Sequence, residues 1–79
     1  MPTLLSQMAQ LRDEELLKKI ALKIKQLREE KGVSQDEVYS ETEIHVARIE
    51  TGKNNLSVST LSKLCNYFKI TLSDFFGNM

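Results

Sequence analysis

Apolar residues recur at spacings of three and four along most of the chain, which is the period of helices that bury one face. No segment alternates between apolar and polar residues in the way that predicts a strand. The clearest apolar stripe predicts a long first helix over residues 13–31. It consists of Leu16, Leu17, Ile20, Ala21, Ile24 and Leu27.

Polar residues at the ends of these stripes predict where the helices begin and end. Asp13 opens an acidic first turn, and Gly32 suits the left-handed conformation that ends a helix. Ser34 and Glu37 in "SQDE" have the spacing of a capping box, in which each side chain binds the other residue's backbone amide. The other predicted caps and stops are Ser57, Thr71, Gly52 and Gly77.

The segment from Gln35 to Thr51 has room for only two short helices joined by a tight turn, which is typical of a helix-turn-helix unit. A fourth helix is predicted, with a buried face that consists of Val58, Leu61, Leu64, Cys65 and Phe68. The segment "LSDFF" is predicted to form a short fifth helix. The predicted fold is therefore all-α, with five helices. Residues 1–12 are interpreted as an N-terminal arm and residues 13–79 as the helix-turn-helix domain.

Composition favours one small folded domain, since 41% of the 79 residues are apolar and 28% are charged. The single cysteine, Cys65, cannot form an internal disulfide and lies in an apolar stripe, so we expect a buried, reduced thiol. The first fifteen residues have neither the basic region nor the apolar core of a signal peptide or membrane span. A cytoplasmic protein with no membrane partner is predicted.

The net charge of zero conceals an acidic segment. Residues 28–53 contain four basic and seven acidic side chains, which gives a net charge of minus three. The strongly basic surface that usually identifies a nucleic-acid-binding protein is therefore missing. Charge alone argues against DNA binding.

Two stretches resemble the Xre family of helix-turn-helix domains, which is related to the lambda Cro and repressor proteins. "LREEKGVSQDEV" is similar to the start of that domain, and "RIETGKNNLSVSTLSKLCNYFKITLSDFF" to its end. The resemblance covers about residues 24–76. It implies a bacterial or phage-type transcriptional regulator, such as a repressor, that binds double-stranded operator DNA, commonly as a dimer.

The chain departs from the family between Gln35 and Glu50, where it is shorter by about three residues, or one helical turn of about 5 Å. One interpretation removes the turn from the third helix, with Ile44, Val46 and Ile49 facing the core. The other shortens the second helix or the turn, so that Thr42 caps the third helix. In that case the displaced base-contacting face consists of Glu43, His45, Val46 and Ala47.

The resemblance implies further DNA contacts. Ser34 and Gln35 match the residues that meet a phosphate at the start of the second helix, although the capping box alone explains Ser34. Lys53, Asn54 and Asn55 match the loop that follows the DNA backbone. Arg48 is expected either to reach the DNA groove or to pair with a glutamate, Glu50 or Glu41. Glu50 itself is expected to form a structural hydrogen bond or ion pair.

Tyr39 stands where the family usually has alanine. We interpret its ring as filling the space left by the missing turn, with a DNA phosphate contact as the alternative. His45 lacks the companions of a metal ligand or a catalytic base, so no cofactor, metal or enzymatic activity is expected.

Two further functions remain open: a helix-turn-helix used for protein contacts, and an antitoxin with a toxin partner. The fifth helix is too short to bury both Phe75 and Phe76 internally, so one ring is expected at a homodimer interface. The arm residues Leu4, Leu5 and Met8 are predicted to contribute to it.

Overall fold

The computed structural model describes residues 13–77, and the predicted arm with Leu4, Leu5 and Met8 lies outside this range. The described part contains five helices and no strand, which confirms the all-α prediction. None of these helices is both long and apolar enough to cross a membrane. In chain order they are α1 (Glu14–Lys31), α2 (Gln35–Thr42), α3 (Val46–Ile49), α4 (Val58–Tyr67) and α5 (Leu72–Phe76).

The predicted caps form the hydrogen bonds expected of them. Asp13 accepts the amide of Leu16 at 2.9 Å, and Gly32 ends α1 in the left-handed region with φ of 75°. The capping box is complete, because Ser34 Oγ accepts the Glu37 amide and Glu37 Oε1 accepts the Ser34 amide, both at 3.0 Å. The later N-caps, Ser57 and Thr71, accept the amides of Thr60 and Asp74.

One core joins all five helices, and the α1 stripe supplies part of it as predicted. Val58 is an exception to the α4 prediction, because it opens the helix and remains 73% exposed, and the buried stripe begins one turn later at Leu61. The buried cluster consists of Ile20, Ile24, Val38, Val46, Ile49, Leu61, Leu64, Cys65 and Phe75.

The turn after α3 packs directly on α1 at Gly52. This glycine is buried with φ of 73°, and a Cβ placed on it would lie 3.3 Å from Cγ and 3.4 Å from Cα of Lys18. The left-handed backbone therefore favours glycine, and the close approach leaves little room for a Cβ. The contact fixes the end of α3 relative to the long first helix.

Candidate nucleic-acid interface

Residues of α2 contact both the N-cap and the C-cap residue of α3. Gln35 Nε2 donates to Oε1 of Glu50, the C-cap of α3, at 3.1 Å. One turn later on α2, the Tyr39 ring stacks on His45, the N-cap of α3, with ring centroids 4.3 Å apart and planes 26° apart. An isolated helix of four residues is not stable in water, so these tertiary contacts determine the position of α3.

Glu50 also pairs with Arg28 at the C-terminal end of α1. Arg28 Nε lies 2.8 Å from Glu50 Oε2, and the second guanidinium nitrogen donates to Oε1 at 3.1 Å. Arg28 Nη1 donates to the Val33 carbonyl at 3.0 Å, so the guanidinium joins α1, the first turn and α3. The hydrogen bond to Glu50 raises the pKa of Arg28. The expected structural role of Glu50 is confirmed, because its carboxylate forms an ion pair with Arg28 within the domain.

The core positions follow the first interpretation, and α3 has only four residues. Val46 is 1% exposed, Ile49 is buried and Ile44 packs against the same core. Thr42 ends α2 and does not cap α3, because its hydroxyl donates to the Val38 carbonyl and accepts the Ile44 amide. The prediction that Val46 contacts DNA is wrong, since its side chain is enclosed in the core.

Tyr39 does not fill a buried space. Its side chain is 43% exposed and lies at the surface against His45. The core beside α2 contains Val46 and Ile49, and Tyr39 is not part of it. The interpretation of Tyr39 as an internal filler is therefore wrong.

Glu43 is the left-handed C-cap of α2. Its φ is 62°, and its amide donates to the Tyr39 carbonyl at 2.7 Å. Left-handed backbone is unfavourable for a residue with a Cβ, and a carboxylate near a helix C-terminus opposes the helix dipole.

Replacing Glu43 with glycine is expected to stabilise the protein by about 1 kcal/mol, because the strain and the unfavourable charge are both removed. Urea unfolding of the two proteins measures the difference. Glu41→Gly, two residues earlier at an exposed position of α2, is the control and is expected to destabilise by about 1 kcal/mol. Equal losses in both variants would contradict the assigned backbone strain.

An open groove of about 490 Å³ lies between α3, the loop after it and the start of α4. Four of the DNA-contacting residues predicted from the sequence line this groove. They are His45 and Arg48 from α3 and its N-cap, and Asn54 and Asn55 from the loop. Ser57 and Thr60 also line the groove but are not among the contacts predicted from the sequence. The capping signal of Ser57 indicates the start of α4 and is the sequence feature that points to them. The remaining lining residues are Ile44, Ile49 and Leu56.

The groove contains no carboxylate among its lining residues. It presents the Arg48 guanidinium and the His45 imidazole, and it reaches the N-terminus of α4 through Ser57 and Thr60. The start of a helix also carries partial positive charge. The groove is therefore suited to an anion, although four of its nine lining residues belong to the net acidic segment 28–53.

Acidic side chains gather in a different groove, of about 340 Å³, on the other side of α2. Glu37 and Glu41 line it together with Lys31, whose Nζ lies 5.2 Å from the centre of the Tyr67 ring. Burial raises the pKa of Tyr67, and the two carboxylates raise it further. Two of the seven acidic side chains of residues 28–53 thus line a groove other than the one beside α3.

Hydrogen bonds around one carbonyl shape the loop after α3. Thr51 Oγ1 donates to the Arg48 carbonyl at 2.7 Å and accepts the Lys53 amide at 3.2 Å. Asn54 Nδ2 donates to the same carbonyl at 3.4 Å. Lys53 is exposed on this loop, next to the groove lining.

The other predicted contacts lie outside the groove. Ser34 is engaged in the capping box and Gln35 in its bond to Glu50, while Glu43 caps α2. Ala47 is exposed on α3 beside Arg48. Within residues 13–77 no three His, Cys, Asp or Glu side chains are grouped so that they could hold a metal ion.

Comparisons with known proteins identify the domain type. A sequence model of the family described as Helix-turn-helix matches residues 24–75, which include the second half of α1 and nearly all of α5. Searches of curated proteins and of solved structures gave no match.

Proposed function

Since the chain belongs to the Xre-type, lambda Cro-like helix-turn-helix family of DNA-binding proteins, we propose that it is a sequence-specific transcriptional repressor. It acts in the bacterial cytoplasm and binds operator DNA as a homodimer. The observation that carries this proposal is the groove beside α3, whose lining contains no carboxylate although the adjoining segment, residues 28–53, is net acidic.

The groove is suited to a DNA phosphate. The Arg48 guanidinium is a charged hydrogen-bond donor, and the Asn55 carboxamide is a neutral one. The first-turn amides of α4 are backbone donors. These donors come from α3, the loop and α4, so one phosphate can fix the orientation of α3 on the duplex. Ser34 and Gln35 at the start of α2 provide a second candidate phosphate contact.

Base contacts are assigned to the start of α3, because the second helix of a helix-turn-helix meets base edges with its N-terminal residues. The exposed residues there are His45, Ala47 and Arg48. The imidazole of His45 can donate to or accept from a base edge.

A salt series of fluorescence anisotropy titrations with a pool of random duplexes tests the proposal. We expect weak binding to the pool, because residues 28–53 are net acidic, and tight binding to a few selected duplexes. A dimer requires two half-sites about 34 Å apart, one turn of DNA. The proposal fails if no duplex binds even at low salt, and that result supports the protein-contact or antitoxin alternative.

Replacing either Arg48 or Lys53 with alanine is expected to weaken binding to every duplex and to reduce the salt slope by about one. Each change removes one positive charge beside the proposed phosphate position. The control is Lys63→Ala, which removes an exposed charge of α4 that does not line the groove. A salt slope that falls equally in all three variants would contradict a localised phosphate site.

His45→Ala is expected to change the preference among selected duplexes by roughly 1–3 kcal/mol while the salt slope stays nearly the same. The change removes a base contact and leaves the Arg48 and Lys53 charges in place. Competition titrations with single-base variants of one selected duplex measure the preference. Uniform weakening across those variants would instead assign His45 to the DNA backbone.

A further inference from the structure

Two aromatic side chains form an exposed pair at the start of α3. The rings of Tyr39 and His45 stack with centroids 4.3 Å apart, and both side chains are exposed. Tyr39 belongs to α2 and His45 to the turn, so residues from two elements meet at one point. Large aromatic rings are usually buried, and this pair projects from the helix-turn-helix surface.

The remainder of α3 offers little to a base pair. Val46 and Ile49 are buried, which leaves only Ala47 and Arg48 exposed on a helix of one turn. His45 is the N-cap of this helix, and Tyr39 covers one face of His45. The aromatic pair therefore lies at the end of α3 from which a second helix contacts bases.

We propose that Tyr39 determines sequence specificity by placing the apolar surface of its ring against the C5 methyl group of a thymine. The assignment rests on the proposed DNA-binding function and adds an apolar contact to the polar contact of His45. In the major groove the thymine methyl is the feature that an apolar side chain recognises. The stack on His45 orients the ring before DNA arrives, so little side-chain entropy is lost on binding.

The position of the cations favours a base contact over a phosphate contact for Tyr39. Arg48 lines the groove on the loop and α4 side of His45, whereas Tyr39 lies outside that lining, against the His45 ring. The Tyr39 ring is therefore not one of the groups that line the proposed phosphate position. We assign it to a base on that ground.

Uracil substitution tests the contact directly, because it removes the C5 methyl group and leaves the pairing edge unchanged. A tight duplex is first selected from the random pool with the wild-type protein, and each thymine is then replaced by uracil in turn. We expect wild-type affinity to fall about four-fold at one thymine per half-site, which corresponds to one buried methyl group.

Two variants connect that loss to the ring. Tyr39→Ala is expected to bind the thymine and uracil duplexes equally, whereas Tyr39→Phe, which keeps the ring, retains the four-fold difference. Ser40→Ala, at the next exposed position of α2, is the control and behaves as wild type. Thermal unfolding verifies that Tyr39→Ala remains folded, as expected for a side chain that is not part of the core.

The outcomes separate this inference from the proposed function. Sensitivity at one thymine that disappears only in Tyr39→Ala supports the contact. The contact is rejected if no thymine is sensitive, or if Tyr39→Ala retains the sensitivity. It is also rejected if Tyr39→Ala weakens all duplexes equally, which would indicate a displaced α3 or a phosphate contact. Failure of the wild-type protein to bind any duplex rejects the proposed function, and this assignment with it.

Discussion

Replacing Glu50 with alanine is expected to destabilise the protein by about 2–3 kcal/mol, at or below the lower end of the range for a fully buried ion pair, because Arg28 and Glu50 are part-buried. The Glu50 side chain is 7% exposed and that of Arg28 15%, so the variant leaves a guanidinium with little access to water. It also removes the acceptor of the Gln35 amide. Urea unfolding monitored by circular dichroism measures the loss.

Two controls separate the ion pair from a general effect of lost charge. Glu29→Ala removes an exposed carboxylate next to Arg28 and is expected to change stability by less than about 0.5 kcal/mol. The double replacement Arg28→Met with Glu50→Leu is expected to recover part of the loss, because no uncompensated charge remains. A Glu50→Ala protein as stable as Glu29→Ala would show that the pair contributes nothing.

Replacing Phe75 with alanine is expected to destabilise by about 3–5 kcal/mol, which is enough to unfold a marginally stable domain of this size. Phe75 is 1% exposed and belongs to the central cluster, although α5 has only five residues. The variant would leave a cavity where α5 meets the other helices. Thermal unfolding followed by circular dichroism provides the measurement.

Phe76 is a matched neighbour with a different expected effect. Its side chain is 37% exposed, and its ring meets that of Phe75 edge to face with centroids 5.2 Å apart. Phe76→Ala should therefore destabilise the monomer by only about 1 kcal/mol.

If Phe76 belongs to the proposed homodimer interface, the variant shifts the monomer–dimer equilibrium towards monomer, which sedimentation equilibrium measures. A monomeric wild-type protein from micromolar to millimolar concentration would exclude that interface.

Helix boundaries could be predicted because they depend on local chemistry. Ser34, Ser57 and Thr71 each bind an amide three residues later, and such a bond requires only the correct spacing. The long α1 stripe was equally predictable, since its period gives the buried face. These signals, with the family resemblance, predicted five helices and a helix-turn-helix.

The environment of α3 could not be predicted in the same way. Val46 fits both a buried and an exposed position in a short helix, and only the path of the turn decides between them. The partner of Glu50 is Arg28, 22 residues away, and sequence spacing does not specify a contact across that distance. The size of Tyr39 suggests a buried filler, whereas its side chain is 43% exposed and stacks on His45 at the surface.

The attachment of α3 at both caps has a consequence for engineering. Exchange of recognition helices between related domains assumes that the transferred helix takes the same position in the recipient domain as in the donor. Here the geometry depends on Gln35 and Tyr39, which belong to α2, so a graft of residues 46–49 alone would leave both anchoring contacts behind. The smallest transplantable unit is residues 35–50 together with an arginine equivalent to Arg28 in the recipient.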